Sequence, residues 1–388
     1  LVFTESDERF GCGVGRDRDD RFCYIGTSSS MTDEVWFCPA DQPESEFRCV
    51  EPRSTGVEYA VAHHHGFFLI HTNAAAVNFR IMWADPEEPG REAWTELVPE
   101  REEVTLTGFD VLDSHLVLFE RTGGITRMVT QRWVNRDTPV LEESHEVVAQ
   151  DESVHTVWPG ANPRSATTLY RYGYSSMVTP PSVYVLDLAT GERTLLRQTE
   201  VLGGFDPADY VTDRTWATAD EGTRIPISLV WRVDRSAEPG PCVLYAYGAY
   251  EISIDPVFSS ARVSLLDRGF LFAIAHVRGG GEMGRAWYLD GKFENKVNTF
   301  TDTVACARHL RAEGWTDPDH LAIRGGSAGG LLVGAVLNQA PELFRVAVAQ
   351  VPFVDALNTM LDSSLPLTAG EWEEWGNPAE SQQIYQVM

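Results

Sequence analysis

The stretch that most restricts the fold is Leu321-Ala-Ile-Arg-Gly-Gly-Ser-Ala-Gly-Gly-Leu-Leu332. The short apolar run 321–323 reads as the end of a strand, and the run 331–337 reads as a helix opened by Gly329 and Gly330. Between them, Gly325-x-Ser327-x-Gly329 predicts a sharp strand-to-helix turn with Ser327 at its apex. Gly325 and Gly326 allow the turn, because side chains there would collide with the neighbouring strand and helix. Such a turn lifts the serine hydroxyl above the edge of a buried sheet. It also leaves the Ala328 N–H at a helix N-terminus, where it can donate to a developing oxyanion. The hydroxyl becomes a nucleophile only beside a base and a group that orients that base.

The surrounding chain fits this sheet. Residues 242–245 and 270–275 are continuous apolar runs, as in strands buried on both faces, whereas 224–231 reads as a strand with mixed faces. A helical pattern over 301–313, a strand at 321–323, a helix over 331–339 and a strand over 346–351 complete the alternation. Strands alternating with helices predict a parallel sheet covered on both faces, with the turn at the carboxyl end of a central strand. Residues 1 to about 200 have a different texture. Strand runs at 21–26, 67–72, 116–121 and 168–172 recur roughly every 45 to 50 residues, the spacing of propeller blades. Residues 183–196 form a hairpin turning at Ala189-Thr190-Gly191. Gly203-Gly-Phe-Asp-Pro207 is the boundary. The chain is therefore multi-domain, with a partial all-β propeller over 1–202 and a partial α/β domain over 203–388. Four blade-like repeats are few for a closed ring.

The length of 388 residues agrees with two domains or more, and a 43% hydrophobic share leaves material for large cores. The formal net charge of -26 argues against nucleic acid and anionic membranes as partners. It fits steering of cationic ligands or solubility alone. No run of eighteen apolar residues predicts a membrane span, and no signal-peptide pattern follows Leu1. The missing initiator Met points to an absent true N-terminus. Six cysteines without C-x-x-C or metal spacing read as reduced thiols of a cytoplasmic protein. His63-His64-His65 reads as a loop rather than a metal tract, since no Cys or acidic partner lies at ligand spacing. No cofactor motif is present, and the glycines 279–281 make a poor phosphate cradle. Lys292 and Lys296 are the only lysines, which reads as compositional bias.

Four further stretches carry candidate chemistry. A tyrosine of Tyr245-Ala-Tyr-Gly-Ala-Tyr250 is either a second oxyanion donor or a packing residue. His276-Val-Arg-Gly-Gly-Gly-Glu282 reads as a structural loop beside the site, with Arg278 and Glu282 able to pair. His276 precedes the serine, against the Ser–acid–His chain order of this turn, and no histidine follows Ser327. Asp355 reads as a turn or helix-cap residue. Gly370-Glu-Trp-Glu-Glu-Trp-Gly-Asn377 sets three carboxylates between two tryptophans, as an exposed acidic helix start or a pocket for a cation. A cation ~4 Å from one carboxylate gains about 4 kcal/mol at an effective dielectric of 20, before desolvation. Aromatic walls would cover an arginine or lysine stem.

Arg278-Gly-Gly-Gly-Glu282, Asp290-Gly-Lys-Phe293, Asn298-Thr-Phe300, Gly325-Gly-Ser-Ala-Gly-Gly330, Gln350-Val-Pro-Phe-Val-Asp355 and the 370–377 cluster together resemble the prolyl oligopeptidase family. Within it they are similar to the branch that cuts after basic residues. Arg171-Tyr-Gly-Tyr-Ser-Ser-Met177 and Leu196-Arg-Gln-Thr-Glu200 extend the likeness into the β half. The resemblance implies a seven-bladed propeller over an α/β-hydrolase domain, and a serine endopeptidase acting on short peptides after Arg or Lys without a cofactor. It implies Ser327 as nucleophile, Tyr247 as oxyanion donor alongside the Ala328 N–H, and Glu371 and Glu373 as acids of the first subsite. It implies Asp255 at the adjacent subsite, where Val257 replaces the usual second acid. The family's triad Asp and His would follow Met388 and its early blades would precede Leu1, so the chain reads as a partial sequence. The other readings are a prolyl- or acylaminoacyl-type relative, and a non-catalytic propeller binding module with an incomplete hydrolase half. The acid cluster weighs against the first, and the intact turn glycines and Tyr247 loop against the second.

Overall fold

Three consecutive buried side chains, Phe68, Leu69 and Ile70, show how the first half assembles. Successive side chains of a strand point to opposite faces, so this strand needs a packing partner on each side. Phe68 and Ile70 pack with Phe37, Val50 and Tyr59, and Leu69 packs with Leu106, Leu116 and Leu118. The computed structural model, which describes residues 1–135, 138–381 and 385, repeats this arrangement. Four antiparallel sheets of four strands lie face to face, each a simple meander. The first comprises Gly11–Arg16, Phe22–Ser28, Asp33–Pro39 and Arg48–Glu51, and the second Tyr59–His64, Phe67–Thr72, Arg80–Ala84 and Thr95–Val98. The third comprises Thr105–Val111, His115–Thr122, Ile125–Asn135 and Val140–Val147, and the fourth His155–Pro159, Leu169–Ser176, Ser182–Asp187 and Arg193–Gln198. These are propeller blades, and the four recurring runs seen in the sequence fall on the second strand of each. The hairpin turning near Gly191 joins the last two strands of the fourth.

The second half is an α/β-hydrolase fold built on one six-stranded mixed sheet. Its order is Tyr210–Thr218, Arg224–Arg232, Leu271–Ala275, Cys242–Tyr245, Leu321–Gly326, Val346–Gln350. The last four strands run parallel and the first two are antiparallel. Leu244, Ala273 and Ile323 face a core shared with helices Lys296–Ala312 and Ala328–Gln339. Val243, Phe272 and Ile274 face the opposite layer with helix Ser260–Leu266. The expectation of mixed faces for 224–231 is corrected here. Residues 225–230 are all buried, because the strand lies between two neighbours and is covered on both faces. The edge strand Val346–Gln350 is exposed along its length. Among the described residues no helix is long and apolar enough to cross a membrane, and all six cysteines are free thiols.

The second and third blades meet the hydrolase fold through charge, and the fourth-blade region also adds Val154, Met177 and Val178 to an apolar cluster of the mixed sheet. Arg121 of the third blade donates to Asp255 at 2.7 Å, and Arg285 bridges Glu58 of the second blade and Glu251. Burial, reinforced by Glu58, pushes the nearby Asp33 carboxyl from 3.8 up to about 7. Burial also raises Glu251 from 4.5 to about 7, against the pull of Arg285. Folded-state values above the unfolded ones mean that the native state keeps protons the unfolded chain has already released. The stability these carboxyls contribute is fully present below about pH 4 and is lost as pH rises towards 7. Asp33→Asn removes one such group while keeping an acceptor for the Tyr59 N–H that now donates to Asp33. In the full-length protein it is expected to raise the unfolding temperature at pH 8 by about 2 °C or more and to leave it nearly unchanged at pH 4. Thermal unfolding at both pH values reads this, and an equal shift at both contradicts it.

Candidate active site

The site is built on the turn that follows Leu321–Gly326. The strand runs through Gly326, and the reversal falls on Ser327 itself, at φ 53° and ψ −120°. A positive φ at a residue with a side chain is strained. The turn is held by the Ser327 N–H donating to the Gln350 carbonyl (2.9 Å), and by the Gly330 and Phe353 N–H groups donating to the Ser327 carbonyl (2.8 and 3.1 Å). Only one of the two preceding glycines is sterically demanded. A Cβ on Gly325 would lie 2.1 Å from the Gly329 carbonyl oxygen, whereas the nearest neighbour of a Cβ on Gly326 lies at 3.6 Å. Ser327 is exposed while residues 328–330 are buried, so the hydroxyl stands clear of the sheet. Ala328 is the first residue of its helix, and its N–H is among the donors that have no intrahelical acceptor.

Tyr247 arrives from the adjacent strand. Cys242–Tyr245 pairs in parallel with Leu321–Gly326, which places the two following loops side by side. Gly329 permits the approach, since a Cβ there would meet the Ala246 carbonyl at 2.8 Å. The Tyr247 ring lies beside the turn, 3.4 Å from where a Cβ on Gly329 would sit, and burial raises the pKa of its phenol, so it stays a proton donor at neutral pH. The loop it sits on is itself strained, with φ of 67° at Gly248, 59° at Tyr250 and 57° at Glu251.

Helix Thr368–Trp375 divides its three carboxylates between two environments. Glu371 is half-buried and accepts the Tyr250 hydroxyl at 3.1 Å; burial raises its pKa against that hydrogen bond. Glu373 is 13% exposed, with one oxygen 3.9 Å from Arg9 and the other buried without a hydrogen-bond partner among the described residues. Glu374 turns inward and is fully buried. It accepts the Tyr250 N–H (3.1 Å), the Tyr288 hydroxyl (2.7 Å) and the Lys296 ammonium (3.5 Å). Lys296, 1% exposed, also donates to the Gly248 carbonyl at 2.7 Å and lies over the Trp375 ring. Burial lowers its pKa to about 8. Lys292, buried as well, donates to the Tyr288 hydroxyl at 2.9 Å. Glu374, which the sequence groups with the other two acids as a pocket carboxylate, is instead committed inside the fold, and Tyr288 and both lysines are not singled out as functional by the sequence. The available signal was that a chain with 31 basic residues uses lysine only at these two places.

Tyr247 thus stands beside the Ser327–Ala328 turn, and Tyr250, whose ring lies 6.5 Å from that of Tyr247, links its loop to Glu371. Asp255 stands elsewhere, its carboxylate already taken by Arg121 and by the Thr156 hydroxyl at 3.3 Å. His276 has its Nε2 on Ser228 (2.8 Å) and its Nδ1 towards Glu282 (3.4 Å), inside the fold. Arg278 does not pair with Glu282; it binds Asp302, Asp290 and Glu221. Asp355 occupies the N-cap of Ala356–Leu361, with its side chain on Asn358. His63 does gain acidic neighbours, Asp17 and Asp19, which sequence spacing had hidden. Its Nδ1 faces Asp19 at 2.8 Å and its Nε2 accepts the Gly66 N–H, while Asp17 accepts the N–H groups of Arg21 and Phe22, so the cluster closes turns.

A model of the prolyl oligopeptidase N-terminal β-propeller domain matches residues 1–199, and one of the prolyl oligopeptidase family matches 256–388. Dipeptidyl aminopeptidase BI of Pseudoxanthomonas mexicana is 44% identical over 383 residues, covering 98% of this chain and 52% of that protein. Protease 2 of Moraxella lacunata is 37% identical over 388 residues, covering 99% and 54%. Oligopeptidase B from Trypanosoma brucei, in a closed form with covalently bound antipain, superposes with a TM-score of 0.94 at 41% identity, covering 100% of this chain and 55% of that one. Oligopeptidase B from Leishmania major gives 0.93 at 39% identity with the same coverage. The chain spans about half the length of these relatives.

The two turn glycines separate cleanly by experiment. In the full-length protein, Gly325→Ala is expected to cost about 1–3 kcal/mol or more and to abolish labelling of Ser327 by a fluorophosphonate. Gly326→Ala should keep both folding and labelling. Equal effects at the two positions would contradict the turn geometry.

Proposed function

Because this chain belongs to the prolyl oligopeptidase family of serine peptidases, we propose that it carries the nucleophile and first subsite of an oligopeptidase that cleaves short peptides after Arg or Lys. The observation that carries the reading is that Tyr247 stands beside the turn bearing the exposed Ser327, and that Tyr250 links the same loop to Glu371. Ser327 attacks the scissile carbonyl and forms an acyl-enzyme. The Tyr247 hydroxyl and the Ala328 N–H hold the oxyanion, the kind of donor whose loss costs about 100- to 1000-fold in kcat. Glu371 and the unpartnered oxygen of Glu373 receive the guanidinium or ammonium of the substrate. The base and its orienting acid are not assigned to any of the 388 residues, and His276 is already committed to Ser228. The covalently bound antipain in the Trypanosoma brucei relative supports a reading in which a covalent intermediate forms. Asp255 is not proposed as an open second subsite, since Arg121 compensates its charge. The proposed domain boundary lies near Gly203, between the strand ending at Gln198 and the one starting at Tyr210. The six free thiols suit a reducing compartment such as the cytoplasm.

A second reading comes from the 44% identical relative named a dipeptidyl aminopeptidase. It differs in requiring a free substrate amino terminus, so a pair of Arg reporters, one N-blocked and one a free dipeptide, distinguishes the two.

In the full-length protein a fluorophosphonate is expected to label Ser327, and labelling elsewhere would reject the nucleophile. Glu371→Gln with Glu373→Gln should lower kcat/KM for an Arg ester by about 100-fold or more while changing a neutral ester only a few-fold. Equal losses on both substrates would dismiss the pocket.

A further inference from the structure

The Tyr247 loop and the acid helix are separate in sequence, yet one buried ion pair holds both. We propose that Lys296 and Glu374 are positioning residues that lock the Tyr247 loop and the Glu371–Glu373 helix into a single unit, so that oxyanion donor and first-subsite acids keep a fixed relation. This inference rests on the roles proposed above for Tyr247 and Glu371.

Its physical basis is the hydrogen-bond ledger of the strained loop. With positive φ at Gly248, Tyr250 and Glu251, the loop departs from the extended backbone of a sheet ladder. The Gly248 carbonyl is instead taken by the Lys296 ammonium, and the Tyr250 N–H by Glu374. Tyr250 is pinned twice to the same helix, its backbone on Glu374 and its hydroxyl on Glu371 one turn earlier. The Trp375 indole N–H donates to that hydroxyl at 2.7 Å, and its ring packs edge-on at 5.7 Å. Movement of the Glu374 carboxylate therefore displaces Tyr250, and with it the adjacent Tyr247 ring and the Glu371 carboxylate.

Stability alone does not explain this arrangement. Well-packed apolar residues of the same volume generally match or exceed a buried ion pair in stability. What apolar residues lack is a donor for Gly248 and an acceptor for Tyr250. The choice of lysine points the same way. Apart from Lys292, which donates to Tyr288 in the same cluster, this chain meets every need for a cation with arginine. Here a compact ammonium with three donors must fit between a carbonyl, a carboxylate and an indole face, a space that a planar guanidinium does not match.

The test uses the full-length enzyme with Lys296→Met, Glu374→Gln and, as a control for lost packing, Leu310→Ala, a buried position in the last turns of the same helix, roughly 20 Å along its axis from Lys296. Three quantities are measured well below each variant's unfolding temperature: the rate of fluorophosphonate labelling of Ser327, kcat and KM for an Arg ester, and the same for a neutral ester. Lys296→Met and Glu374→Gln are expected to slow labelling about tenfold, to lower kcat on both esters by about tenfold, and to cut the Arg-over-neutral preference about tenfold. Leu310→Ala should leave all three within about twofold at a comparable loss in unfolding temperature. If Lys296→Met does not fold, Glu374→Gln, which keeps an oxygen acceptor, decides alone. Folded variants with unchanged labelling, kcat and preference overturn the proposal. If the parent enzyme shows no Arg preference, the first-subsite reading fails by itself, and the labelling rates still decide whether the pair positions Tyr247.

Discussion

Ser327 is held in a backbone conformation that costs free energy, and everything around it serves to make that conformation tolerable. A residue with a side chain at positive φ costs on the order of 1–3 kcal/mol, a large share of the 5–15 kcal/mol that keeps a domain folded. The strain is contained because strand Leu321–Gly326 is an inner strand of its sheet, with a neighbour fixing each edge. Helix Ala328–Gln339 then buries Ala328, Leu331, Leu332, Val333 and Val336 directly against that sheet. Close approach at Gly325 and Gly329 lets strand, helix and Tyr247 loop meet at the apex. The exposed hydroxyl is the one part of the turn that packing leaves free.

A second layer of organisation is electrostatic. In a chain of net charge -26, the interior around the site is kept together by a few cations, each surrounded by acids. Arg278 gathers Asp302, Asp290 and Glu221, Arg285 joins Glu58 to Glu251 across the two halves, and Lys296 meets Glu374 beneath the acid helix. The same acidic surplus leaves Glu371 and Glu373 partly buried and, among the described residues, without a buried cation of their own. The partition within residues 371–374 follows from helix geometry. Positions 371 and 374 are one turn apart and both reach Tyr250, while 373 projects from another side of the helix.

The relation between the halves is also polar. Arg121–Asp255 and Arg285–Glu58 cross between blades and hydrolase fold, whereas the apolar clusters stay within the blades or within the layers of the mixed sheet, apart from Val154, Met177 and Val178 of the fourth-blade region. Interfaces of this type separate more readily than apolar ones. Asp255 takes its meaning from this setting, as a contact between halves rather than a free carboxylate.

What the sequence by itself determined is whatever repeats or is local. The 45-to-50-residue recurrence located the second strand of each of the four blades, the alternation after residue 203 foretold the four parallel strands but not the antiparallel pairing of the first two, and Gly325-x-Ser327-x-Gly329 foretold the turn, because hydrophobic period and glycine placement act over a few residues. The resemblance to a known family added Tyr247, Glu371 and Glu373. What only the tertiary structure decided is whatever depends on partners far away in the chain. It assigned Arg278 to Asp302 instead of Glu282, His276 to Ser228, Asp255 to Arg121 and Glu374 to Lys296, and it buried 225–230 on both faces. A charged residue reads the same in sequence whether it meets water, substrate or a buried counter-ion. Its role is set by which distant element folds against it, and no local pattern encodes that.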